Sequence, residues 1–227
     1  IGHASRTVKD CLRLGRDDFT IRTAMLEHRH ICGDVTIAQN LEKSLWSDLF
    51  IGTEREFIDA KLREREARHI KQGGQRYMVE PNVKEGKGGL RDLHSLFWIA
   101  KYVNRVKSTT DLLELSLFTQ EEHKIFVSAE RFLWAVRSHL HLITRRASDQ
   151  LTFDLQVEVA DRMAYKDQGG RRAVEIFMQD YFRHATSVGD LTRIFLTFLE
   201  ASHAKSKPLL QKILRRKPVV KADYSVV

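Results

Sequence analysis

Residues Tyr77–Ala100 read YMVEPNVKEGKGGLRDLHSLFWIA. The stretch begins extended, because Pro81 fixes its own φ and steers Glu80 away from helix. A polar, glycine-rich turn follows, Lys84-Glu85-Gly86-Lys87-Gly88-Gly89. A helix then opens near Leu90, and Leu93, Leu96, Phe97 and Ala100 recur along one face of it. Arg91 and Asp92 fall in its first turn. Free N–H groups at a helix start, flexible glycines and the cations Lys84, Lys87 and Arg91 suit an anion such as a phosphate. The same residues equally describe a glycine-punctuated start to a core helix, with its charges in solvent. The residues alone leave both readings open.

Outward from this stretch the pattern is helical in both directions. Upstream, a short helix over Thr7–Leu14 stops at Gly15. Asp17 or Asp18 then caps a helix expected to reach about Cys32, with Ile21, Met25 and Ile31 inward and Gly33 as its stop. Asp34 restarts the pattern with Ala38, Leu41, Leu45 and Leu49. Thr53 with Glu56 reads as a capping box. It opens a strongly charged helix to about Gln72, expected on the surface or against another domain, with apolar contact only from Phe57, Ile58, Leu62 and Ile70.

Downstream, Ser108–Asp111 caps a short helix, and Thr119 with Glu122 makes a second capping box. The helix from there to about Arg146 carries a 3–4 stripe of Ile125, Phe126, Ala129, Leu133, Val136, Leu140 and Ile143. A helix over about Leu155–Ala164 follows a brief extended piece at Leu151–Asp154. The last helix spans about Arg171–Ala204, buries Val174, Phe177, Tyr181, Val188 and Phe195 on one face, and has room to bend at Gly189. Strand signals are nearly absent outside Tyr77–Val79. The expected fold is therefore all-α, an antiparallel helical bundle with one short extended segment near 77–80. Its expected division is a helical domain over 1–204 (N-terminal helices 1–76, main bundle 77–204) and a basic linker or tail over 205–227.

At 227 residues the chain can bury a sizeable core, and a 42% hydrophobic share is ordinary for a soluble protein. No apolar run approaches the ~20 residues that span a bilayer. The first residue is Ile rather than Met, so a fragment or processed piece is expected. Lys plus Arg exceeds Asp plus Glu by 38 − 30 = 8, which favours an acidic partner. Part of the excess is local: Lys205, Lys207, Lys212, Arg215, Arg216 and Lys217 crowd one acid-free run. It reads as a solvated tail or linker, since no nucleic-acid-reading motif accompanies it. Cys11 and Cys32 show no CxxC pairing and fit structural roles in a reducing cytoplasm.

Other constellations are weaker. His28, His30 and Cys32 cannot converge on one metal from a helix, because residues two apart diverge. His139 and His141 fail the same test. Asp149 and Asp154 flank a turn and read as caps, or as a carboxylate pair. Arg137, Arg145 and Arg146 lie on the striped helix, where an Arg near the stripe needs a carboxylate, Asp92 or Asp154, or a polyanion. The chain shows no Asp-x-Asp pair after a glycine turn, no adjacent His-Asp, no Walker loop, no GxSxG and no Rossmann fingerprint. No catalytic or metal-binding residues are therefore expected within it.

The run EPNVKEGKGGLRDLHSL resembles the signature of the bacterial PII uridylyltransferase/uridylyl-removing family. Ile1–Thr7 (IGHASRT), Leu133–Asp154 and Val174–Leu191 resemble further blocks of that family in the same order. The resemblance implies a helical segment, of the nucleotidyltransferase substrate-binding type, between a catalytic nucleotidyltransferase domain and an HD hydrolase domain. In such proteins UMP passes from UTP to a tyrosine of the trimeric PII signalling protein and is later removed, with Mg2+ required and glutamine sensed by ACT domains. The catalytic carboxylates would precede Ile1 and the HD site would follow Val227. By the same resemblance, Asn82, Lys84, Gly88, Gly89, Arg91 and Asp92 would face nucleotide, substrate or the catalytic domain, with His3 and Arg6 beside the catalytic sheet. Implied partners are PII and the two flanking domains, with neither membrane nor nucleic acid. The helical segment of glutamine synthetase adenylyltransferase is the nearest competitor. A stand-alone basic adaptor and a nucleic-acid-binding module are readings from other classes; loss of binding on tail truncation, and a steep salt dependence for nucleic acid, would mark them.

Overall fold

A computed structural model describes residues 3–202, with side chains through residue 199. The expectations for Ile1, Gly2 and the basic segment within 205–227 lie outside the described residues. Nine α-helices carry the described chain, and the only strand-like pairings in it are isolated bridges. The all-α expectation holds.

Thr7 opens α1 (Val8–Asp17), its hydroxyl accepting from the Asp10 N–H at 3.1 Å. Asp18 opens α2 (Phe19–Leu26) by accepting from the Thr20 and Ile21 N–H groups. α2 stops six residues short of Cys32. The His28 ring donates to the Met25 carbonyl at 2.6 Å and so occupies an acceptor that the next helical turn needs. Ile31, expected inward, is 79% exposed in the loop beyond.

α3 (Val35–Leu45), capped by Asp34, runs directly into a π-helical turn, Trp46–Phe50. The expected Thr53–Glu56 capping box does not form. The Thr53 hydroxyl instead bonds back to the Leu49 and Phe50 carbonyls and to the Tyr102 hydroxyl at 2.7 Å. It closes the π turn rather than opening α4 (Glu54–Lys71).

α5 (Leu90–Asn104) is the shared element. It packs on α2 and α4 on one side and on α7 and α9 on the other. Phe57 of α4 stacks on Tyr102 of α5, ring centroids 3.9 Å apart, with Phe50 against the same tyrosine. A short α6 (Asp111–Glu114) leads to α7 (Gln120–Thr144), whose Thr119–Glu122 capping box forms as the sequence indicates. Of the expected stripe, Phe126, Ala129, Leu133, Val136 and Leu140 are buried, whereas Ile125 near its start is 41% exposed and Ile143 at its end is half-buried. α8 (Phe153–Arg162) and α9 (Ala173–Ser202) complete the bundle, with Phe177, Tyr181, Val188 and Phe195 of α9 in the core. The segment expected to be extended near 77–80 forms no strand: it bends at Val79 and Glu80, and pairing is confined to an isolated bridge just beyond. Leu151 N–H donates to the Pro81 carbonyl and Val83 N–H to the Asp149 carbonyl, bridging Asn82 and Gln150.

Candidate functional site, a saturated turn beside an aromatic and cationic face

The turn before α5 is closed on itself. The Asn82 side-chain oxygen accepts from the Lys84 and Glu85 N–H groups at 3.1 and 2.7 Å. Gly86 N–H donates to the Asn82 carbonyl, Leu90 to Val83, Arg91 to Lys84, and Gly89 to Gly86. Gly88 N–H donates to the Asp92 carboxylate at 2.9 Å. The amides at the helix start that were expected to await an anion are therefore occupied from within. The two glycines serve packing. Gly88 has φ +83°, and a Cβ on it would lie 2.3 Å from the Ala185 carbonyl oxygen of α9. A Cβ on Gly89 would lie 2.6 Å from the Val83 carbonyl oxygen.

Asp92 locks this turn from beneath. It is 0% exposed. His69 donates to both of its oxygens at 2.9 Å, Arg65 approaches to 3.4 Å, and Arg68 bonds it directly. Burial pushes its pKa up, but the His69 hydrogen bond and the charges of Arg65, His69 and Arg68 outweigh it and hold the pKa at about 2. Arg65, Arg68 and His69 share one face of α4, so this carboxylate clips α4 to α5. The charged helix is thus fastened by a buried polar joint, and Ile70, counted on for apolar contact, is exposed.

Above the joint the side chains open onto a mixed face. Glu85 takes Arg91 at 3.4 Å, Arg68 at 3.6 Å and Lys84 at 3.7 Å. Asp149 accepts from Arg137 at 2.7 Å and from His141 at 3.0 Å, with Lys84 at 3.9 Å. Burial works against the ionised Asp149, yet those bonds and the charges of Arg137 and Lys84 hold its pKa below the ordinary value. An aromatic row crosses the same face. Arg91 lies over the Trp98 ring and Arg137 over Trp134, and the His94 ring stands between the two indoles. Burial, then the nearby Arg91 charge, depress the His94 pKa to about 4, against an opposing pull from Glu27, so its ring is neutral near pH 7. Beside Trp98 a cleft of about 520 Å³ is lined by Thr20, Thr23, Glu27, Lys61 and Arg91, among others. The Lys61 ammonium there is buried over the Trp98 ring and bonds Glu64 at 2.7 Å.

Of the eight residues singled out from sequence, six meet at this turn. Asn82, Gly88, Gly89 and Asp92 shape it, and Lys84 and Arg91 present charge. His3 and Arg6 lie exposed ahead of α1 and, among the described residues, join no hydrogen bond or ion pair. Arg137 finds its carboxylate in Asp149, which sequence reasoning took as a cap, rather than in Asp92 or Asp154. The sequence reading also missed the Asp92 ligands Arg65, Arg68 and His69. Their i, i+3, i+4 spacing was the available signal, since it puts three cationic or ring donors on one helix face. His94 lay within the quoted signature run and Trp134 within a resembling block, but neither they nor Trp98 were singled out as site residues. Among the described residues no group of three or more His, Cys, Asp or Glu could hold a metal ion. No helix there is long and apolar enough to cross a membrane.

The GlnD PII-uridylyltransferase family profile matches residues 56–196, which include the turn, the Asp92 joint and the aromatic row. The chain belongs to this PII-uridylyltransferase family. Its relatives in the family are named bifunctional uridylyltransferase/uridylyl-removing enzymes. The protein from Ruegeria pomeroyi is 66% identical over all 227 residues, and that from Cereibacter sphaeroides 63%. One from Novosphingobium aromaticivorans is 50% identical over 207 residues, or 91% of this chain. The chain spans 25%, 24% and 23% of the length of these three proteins.

Proposed function

We propose that this chain is the helical part of a PII uridylyltransferase, closing one wall of the nucleotide cleft and docking the protein substrate. The whole protein would transfer UMP from UTP to a tyrosine hydroxyl of PII and remove it again at a separate site. The names of the relatives favour this reading over the adenylyltransferase of glutamine synthetase. Catalytic carboxylates and their Mg2+ would belong to another part of the polypeptide. The carboxylates at the turn do not fit a magnesium ion, because Asp92, Glu85 and Asp149 are each already engaged by two or more cationic or ring donors.

The observation that carries the reading is the fixed presentation of Lys84 and Arg91. The turn that bears them has its amides used internally and its base pinned by Asp92, so both cations sit on a preorganised support. Glu85 holds Arg91 only at 3.4 Å, in a position that an incoming phosphate can contest. The test is UTP affinity of the intact enzyme with Arg91→Ala. Losing one charge-assisted contact, worth about 1.5–3 kcal/mol, weakens UTP binding by about tenfold or more. Unchanged affinity would remove Arg91 from the nucleotide site.

A further inference from the structure

A second surface lies along the segment that leads into the turn. Tyr77 and Val79 are 64% and 61% exposed, and Phe153 and Val157, one turn apart on α8, are 58% and 59% exposed. Bonds from α8 and α9 bring the four together. Gln156 donates from its side chain to the Val79 carbonyl at 2.8 Å. Phe153 N–H donates to the Glu80 carboxylate at 2.9 Å. The Tyr77 ring leans on Phe182 of α9, and its hydroxyl meets Thr186 at 3.3 Å. These are large apolar side chains held out to solvent on one frame of α8, α9 and the segment between them in space, and exposed apolar side chains grouped so mark a contact surface.

We infer that this patch is covered, in the full-length protein, by another domain of the same polypeptide that presents apolar side chains ringed by Lys and Arg. Two observations choose that occupant. Proteins that match this chain over its entire length are much longer than it, the chain spanning 25% and 24% of them, so most of each such polypeptide must pack somewhere else. The charge along the α8 edge of the patch also runs against the net charge of the chain. The chain carries a net charge of +8. Yet α8 bears Asp154, Glu158 and Asp161 against one cation, Arg162, which Glu158 already pairs at 3.1 Å. An apolar centre with an acidic margin selects a basic-rimmed partner. The inference rests on the family membership and not on the nucleotide role of the turn.

The test is cysteine labelling in the full-length protein carrying Val157→Cys or, separately, Val79→Cys. Maleimide modification is read at that residue by peptide mass spectrometry, so native cysteines do not interfere. Both changes are small and on the surface, so folding is retained. A covered patch gives labelling about tenfold or more slower than in the same variant unfolded in urea, at a rate unchanged by diluting the protein. A native rate close to the unfolded rate overturns the inference. A slow rate that rises on dilution also overturns it, in favour of a second copy of the chain. UTP affinity plays no part in this readout, so a failed nucleotide assignment and a failed docking assignment remain separate results.

Discussion

Asp92 shows what one buried charge can organise. An ionised carboxylate at 0% exposure is tolerable only with donors on both oxygens, and Arg65, Arg68, His69 and the Gly88 amide supply them. Asp92→Asn leaves two arginines facing a neutral group and is expected to destabilise the fold by about 3–5 kcal/mol, measured by urea unfolding. The pH dependence follows from the depressed pKa. An unfolded Asp titrates near its model value of 3.8, and the folded one near 2. The unfolded chain therefore takes up the proton first. The contribution of Asp92, on the order of 2 kcal/mol, is fully present above about pH 4 and is lost as pH falls toward 2. Acid unfolding curves of the parent should steepen in that window, and those of Asp92→Asn should not.

At the scale of elements, the legible parts were those whose stabilising contacts are local. The α7 stripe Phe126–Leu140 is periodic and buried as read, and its Thr119–Glu122 box is a four-residue signal that needs no distant partner. Thr119→Ala removes the hydroxyl that accepts from Glu122 N–H and is expected to lower stability by about 1 kcal/mol, seen as a shift in Tm. Thr53–Glu56 has the same spacing and fails, because Tyr102, far along the chain, claims the Thr53 hydroxyl. α2 fails in a related way when the His28 ring takes the Met25 carbonyl. The partners of Asp92 were hidden for the same reason. Two opposite charges on different helices announce nothing until α4 and α5 are docked. What could be read of the candidate site was its chain-local part, the turn and its glycines; the ligands from α4 and the tryptophans of α5 and α7 come from tertiary packing.

Across the whole molecule, α5 joins two groups of helices, α2 and α4 on one flank and α7 and α9 on the other. The turn that begins it touches both. Gly88 lies against Ala185 of α9, Val83 and Lys84 meet Asp149 beyond α7, and Asp92 grips α4. A stretch with three glycines in four positions looks, by composition, like the loosest part of the chain. Its bonding says the reverse. When the protein is transferred to heavy water, the amides of Gly86, Gly88, Gly89 and Leu90 should be among the last to take up deuterium, on the clock of global unfolding, while those of Ile31 and Cys32 exchange within seconds. The glycine turn is then a keystone of the bundle, and any molecule arriving there meets a surface that was set before it came.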